Sequence, residues 1–111
     1  MFILLIPSYI FAGECFEEFS WEPSNPIKTV SGYHIWYGSM TGHYVTIIDI
    51  GKPEAQPDGR IYGKVTGLNC GESYFFICTA YNENGDSANS NEVYVESVGR
   101  PRAPQDFRIK H

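Results

Sequence analysis

The stretch LNCGESYFFICTAYNENGDSANSNEVYV, residues 68–95, decides the fold. Leu68 and a short Asn-Cys-Gly turn lead into Tyr74, and from there the residues alternate. Tyr74, Phe76, Cys78 and Ala80 share one face of an extended chain, and Phe75, Ile77 and Thr79 share the other, because successive side chains of a strand point to opposite sides. A polar, Gly-containing loop follows at 82–88, and a second alternating run follows it. Nothing in the stretch has a helical period.

The same punctuation runs through the rest of the chain. Turn signals fall at Pro23 to Pro26, Ser31-Gly32, Gly38 to Gly42, Gly51 to Gly59, Asn69 to Gly71 and Asn82 to Ser87. Short runs rich in Tyr, Phe, Ile and Val lie between them and predict strands over 16–21, 33–38, 44–50, 60–66, 74–81 and 91–96. Tyr33, Ile35 and Tyr37 fall on one face against His34 and Trp36, and Ile61, Gly63 and Val65 oppose Tyr62 and Lys64. Short alternating strands joined by tight turns imply an all-β domain, a β-sandwich of two antiparallel sheets. The expected core is Trp21, Tyr33, Ile35, Tyr37, Val65, Leu68, Tyr74, Phe76, Cys78 and Ala80.

Composition sets the outer limits. The chain has 111 residues, 42% of them hydrophobic and 15% aromatic, enough for one compact core. The net charge of −5 argues against nucleic acid as a partner, since that needs a basic footprint. The charge is unevenly spread. Residues 1–99 hold 4 basic and 12 acidic side chains, a net −8. Residues 100–111 hold Arg100, Arg102, Arg108 and Lys110 against Asp106, a net +3.

Leu68 followed by Tyr74 on a new strand has the pattern of a tyrosine corner, in which the ring packs at the sandwich edge and its hydroxyl bonds to backbone a few residues upstream. With FSWEPS around Trp21, SGYHIWYGSMTGHY around Tyr33 and Tyr37, and Ala80, Gly85, Ser90 and Asn91 downstream, residues 17–96 resemble the fibronectin type III family, most closely its bacterial branch. The resemblance implies an immunoglobulin-like sandwich whose strands here are B, C, C′, E, F and G. The family opens with a strand A, which is short or missing before Trp21 in this chain. The C-terminal RPRAPQDFRIKH resembles the strand A that opens a following domain. The family topology also places Cys15 and Cys70 at one pole on neighbouring strands, which leaves a Cys15–Cys70 disulfide open if the Cα atoms lie within ~7 Å and a leader is cleaved before Cys15.

The chain is accordingly divided into an N-terminal apolar segment at 1–15, a fibronectin type III-like domain at 16–97 and a basic tail at 98–111. The apolar run Phe2 to Ala12 has the length of a signal-peptide hydrophobic region and is too short for a membrane-spanning helix, which takes ~20 residues. Export is the favoured reading, to the cell surface, the periplasm or the medium. The alternative is a buried N-terminal strand. Cys78 is expected to be a buried free thiol.

Chemistry is sparse. No nucleophile elbow, P-loop or dinucleotide fingerprint occurs, and no Cys/His set has metal-ligand spacing, so neither an enzyme nor a cofactor or metal is expected. His34, His43 and His111 read as solvated surface residues. Two surfaces are candidates for binding. One is the loop pole formed by 22–32, 51–59 and 82–88, with Glu22, Lys28, Glu54, Asp58, Asn82, Glu83, Asn84 and Asp86. The other is an outward aromatic set, Trp36, Phe75 and Tyr44. Ordinary turns and cross-strand aromatic pairing are the simpler accounts of both.

The leading functional expectation is a non-enzymatic exported module for protein–protein contact, adhesion or spacing. The second is a self-assembling structural subunit. In it Phe107 and Ile109, alternating with Asp106, Arg108 and Lys110, make the C-terminal tail a strand donated to a neighbour's strand B. The third is a carbohydrate-binding accessory domain resting on Trp36.

Overall fold

The computed structural model describes residues 14–101 and 103–110. The order of elements is β1 (Cys15–Trp21), a 3-10 turn (Ile27–Thr29), β2 (Gly32–Gly38), β3 (Thr46–Gly51), β4 (Ile61–Leu68), β5 (Tyr74–Asn82), β6 (Gly85–Asp86) and β7 (Val93–Val95). They form two antiparallel sheets. The smaller is β1-β4, and the larger runs β3-β2-β5-β6 with β7 also on β5. The fold is all-β, and the core lies between the sheets.

Alternation explains the faces. In the β2–β5 register Tyr33 lies opposite Ala80, Ile35 opposite Cys78 and Tyr37 opposite Phe76, all facing the small sheet. From that sheet Val65 and Leu68 of β4 and Phe19 and Trp21 of β1 meet them. Phe19 packs on Phe76 at 4.7 Å between ring centroids, and Trp21 sets its edge against Tyr33 at 5.3 Å. Gly63 is required under this indole, because a Cβ there would come within 2.8 Å of the Trp21 ring.

The core differs from expectation at its margins. Trp21, Tyr37, Cys78 and Ala80 are half-buried rather than buried. A two-stranded sheet is too narrow to roof a five-stranded one, so residues near its borders are covered on one side only. Conversely Val30, Ile61 and Ile77 are buried without having been in the expected set. So is Val98, which the sequence reading assigns to the tail. Its amide donates to the Glu72 carbonyl and its carbonyl accepts from the Gly71 amide, which ties the end of the chain to the β4–β5 turn.

The last edge of the large sheet is not one continuous strand. The sequence predicts a strand over 91–96, but only Val93–Val95 pairs with β5, and the short β6 pairs with it separately. Between them two serines stand in for the ladder. The Ser87 amide donates to Ala80 O while its Oγ accepts from the Ala80 amide, and Ser90 repeats this with Cys78. Side-chain oxygens thus satisfy the β5 groups that a regular strand would have taken.

Candidate functional site

The outer face of the large sheet carries a cluster of polar and aromatic side chains bonded to one another. Pairing puts His34 opposite Thr79, Trp36 opposite Ile77, and Asp49 opposite His34 on the other side. Trp36 Nε1 donates to Thr79 Oγ1 at 3.0 Å, and Thr79 Oγ1 donates to Asp86 Oδ2 at 2.6 Å. His34 Nδ1 meets the same carboxylate oxygen at 2.8 Å. The His34 ring stacks on Tyr81 at 4.2 Å, and the Tyr81 hydroxyl donates to Asp49. The hydroxyl of Thr79 and the hydrogen bond from His34 hold the Asp86 carboxyl below the usual range. The Gly51 amide and the Tyr81 hydroxyl do the same for Asp49. In return Asp49 pushes the Tyr81 phenol up.

His34 is therefore not the freely solvated histidine of the sequence reading. It is half-buried, stacked and bonded. His43, by contrast, is exposed in the β2–β3 turn, and His111 lies outside the described residues. Thr79 is buried and bonded at both ends, so the cluster acts to lock β6 onto the sheet. The only sequence signal for it was that His34, Trp36 and Thr79 share a face. Asp86 was missed as their partner because β6 was read as loop.

The other outward aromatics are similarly engaged. Phe75 packs on Tyr94 at 4.7 Å, and the Tyr44 hydroxyl bonds to Glu92, which also accepts from Thr41 and the Gly42 amide. Tyr94 and Ile47 remain exposed on this face.

The three loops of the proposed pole do come together. Lys52 Nζ donates to Ile27 O at 3.2 Å, and Asn82 Nδ2 donates to Thr29 O at 3.0 Å. Much of their polar capacity serves the loops themselves. Asp58 accepts from the Tyr62 hydroxyl and the Arg60 amide, and Asn82 Oδ1 accepts from the Asn84 amide. Glu22, Lys28, Glu54 and Glu83 remain exposed.

At the opposite end of β5, Asn69 donates its amide to the Tyr74 hydroxyl at 2.9 Å, with the ring buried against Tyr37 and Phe76. Cys15 and Cys70 are joined by a disulfide, Cα to Cα 5.2 Å. The position a Gly99 side chain would occupy is 2.7 Å from Cys15 Sγ, so the chain leaving Val98 passes directly over the bridge. Cys78 is free and half-buried, and desolvation pushes its thiol up to about 11, so it is a poor nucleophile at neutral pH.

The third feature is a groove of about 480 Å³ between the sheets on the β1 side. Phe19, Trp21, Phe76, Cys78 and Val93 make its apolar lining, with Arg60 at one end. It lies where the small sheet stops at β1 and the large sheet's edge is broken between β6 and β7. Trp21 Nε1 is buried here with no hydrogen-bond partner among the described residues. Phe107 and Ile109, the expected assembly residues, lie away from it and in no strand, 93% and 74% exposed.

Among the described residues no group of three or more His, Cys, Asp or Glu side chains converges as a metal site would need. Nor is any helix there long and apolar enough to cross a membrane. No family model matches the chain. Over 87 residues, 78% of its length, it is 31% identical to a Kelch domain-containing protein of Saccharolobus solfataricus. The chain spans 11% of the length of that relative.

Proposed function

We propose that this chain is a non-enzymatic, exported fibronectin type III-like module that serves protein–protein contact, adhesion or spacing. The observation that carries the reading is one of proportion. Most of this chain aligns with a domain-sized stretch, 11%, of a much longer relative, which is how a module recurs inside larger proteins.

The strand order supports the family assignment. With β1 as B, β2 as C, β3 as C′, β4 as E, β5 as F and β7 as G, the sheets read B-E and C′-C-F-G. The Asn69–Tyr74 bond supports the tyrosine corner. On this reading the module starts at Cys15, one residue before the 16–97 expected from the sequence, because Cys15 opens β1 and is bridged to Cys70; the residues ahead of it form a leader and 98–111 a tail, with Val98 packed on the module. The relative's Kelch name is not carried over. A propeller blade is a single four-stranded sheet, whereas this chain buries a core between two. The Cys15–Cys70 bridge favours an oxidising compartment.

The test is fractionation of cells making the natural protein, with cross-linking in place. The chain is expected at the cell surface, in the periplasm or in the medium, cross-linked to protein. A cytoplasmic chain with reduced thiols would overturn the export reading. Carbohydrate recognition through Trp36 is the weaker alternative, since the indole donor is already committed to Thr79. A polysaccharide array that stays silent removes it.

A further inference from the structure

The Cys15–Cys70 bridge is not equally open at its two ends. Cys70 stands in the β4–β5 turn and is exposed, as are Asn69 and Gly71 on either side of it. Cys15 is half-buried and packs on the core cluster that holds Leu68, Tyr74 and Val98.

Segment 96–100 is a strap fastened over the Cys15 end. The Ser97 amide donates to Ser73 Oγ at 3.1 Å. The Val98 amide donates to Glu72 O at 2.9 Å, and the Gly71 amide donates to Val98 O at 2.8 Å. The Val98 side chain is buried in the core, and the Arg100 amide turns back onto Ser97 O. Gly99 lies between these fastenings with φ +88°, and a side-chain carbon on it would sit 2.7 Å from Cys15 Sγ. The strap backbone therefore rests on the Cys15 sulfur, where only a glycine fits.

We propose that the bridge is a thiol-exchange site with a fixed direction: a small aminothiol attacks Cys70 Sγ, and Cys15 is the sulfur released beneath the strap. Exchange proceeds along the S–S axis, so the end that is covered decides which sulfur is reached. The core and Gly99 close off Cys15 Sγ, which leaves Cys70 Sγ as the point of attack. The incoming thiolate bonds to Cys70 Sγ as the Sγ–Sγ bond breaks. The electron pair of that bond leaves on Cys15 Sγ, which then takes up a proton. One disulfide replaces another, so no separate oxidant or reductant is consumed. Desolvation of the departing thiolate slows this step without changing which sulfur is accessible. The product is a mixed disulfide on the exposed turn, with the Cys15 thiol still held by the strap. From there Cys15 can attack Cys70 Sγ, expel the small thiol and restore the bridge. The charge of the thiol follows from the flanking residues. Glu14 precedes Cys15 and Glu72 lies two residues after Cys70, both exposed, so a cationic thiol approaches more readily than an anionic one.

The experiment treats the oxidised full chain with cysteamine under native conditions. The reaction is quenched in acid and digested with pepsin without reduction, and the label is mapped by mass. Cysteamine on Cys70 is expected to exceed that on Cys15 by about tenfold or more. Cysteamine should also react faster than glutathione at low salt, with the difference shrinking at high salt. Val98→Asp puts a carboxylate where the strap is anchored and should lift it, and faster exchange of the Gly71 amide reports the lift. The label should then spread toward equal shares on the two cysteines. Ser73→Ala removes a single fastening, should shift the partition the same way by about twofold, and decides the matter if Val98→Asp does not fold. Four results would each overturn the proposal. They are label shared equally or chiefly on Cys15 in the native chain, a partition unmoved in a variant whose Gly71 exchange is accelerated, glutathione as fast as cysteamine at low salt, and a bridge that opens only on global unfolding. None of them depends on where the protein is located or on what it contacts.

Discussion

Opening the Cys15–Cys70 bridge should remove a large part of the stability. The two cysteines lie 55 residues apart, so the bridge closes a loop through β1, β2, β3 and β4. In the chain-entropy account a loop of that size restricts the unfolded chain by about 14 cal/mol/K, or roughly 4 kcal/mol at 25 °C. The whole fold is expected to be stable by only ~5–15 kcal/mol. Cys15→Ser with Cys70→Ser should therefore lower the unfolding free energy by about 3–4 kcal/mol and the melting temperature by roughly 15–30 °C. The slope of the urea transition should rise, because the unlinked chain exposes more surface. Equilibrium urea unfolding followed by tryptophan fluorescence measures both quantities. Wild type under reductant is the matched control and should give the same loss without the serine substitutions. A loss under about 1 kcal/mol in both would refute the reasoning, since the ends of the loop would then be held together without the bridge.

Tyr74→Phe deletes the acceptor of the Asn69 amide and should cost about 0.5–1.5 kcal/mol, read as a lower urea midpoint at unchanged slope. An unmoved midpoint would mean that the Asn69–Tyr74 bond adds nothing. Gly63→Val should destabilise by about 1–3 kcal/mol by driving the Trp21 ring off the small sheet, and an unchanged near-ultraviolet dichroism spectrum would count against that packing. Asp49, Asp58, Asp86 and Glu92 all titrate below their ordinary values in the folded chain. Their contribution is present above the unfolded values of about 4 and is lost as pH falls through the lower folded values. Stability should thus be level from about pH 7 to 5 and decline below about pH 4. A melting temperature that rises on acidification would contradict this.

The all-β, two-sheet arrangement was readable because each strand has an apolar face with period two. In β5 that pattern places Tyr74 and Phe76 in the core directly. The outer cluster was half readable. Alternation put His34 and Trp36 together, but their partner Asp86 sits on a two-residue strand that no period can announce. The broken edge at 87–91 was read as strand or loop, since sequence does not say that Ser87 and Ser90 will replace a ladder. Val98 was missed for a related reason. A lone apolar residue between Ser97 and Gly99 carries no pattern, and only the fold brings it over the β4–β5 turn. Half-burial of Trp21 depends on how many strands cover β1, which is a property of the assembled sheets.

The central claim is a disulfide-closed exported module, and intact mass of the natural product after alkylation tests it most directly. Under denaturing, non-reducing conditions the account predicts a chain trimmed ahead of Cys15 that takes up one alkyl group, on Cys78. Reduction should raise the uptake to three. A full-length chain with three reactive thiols before any reductant is added would contradict it.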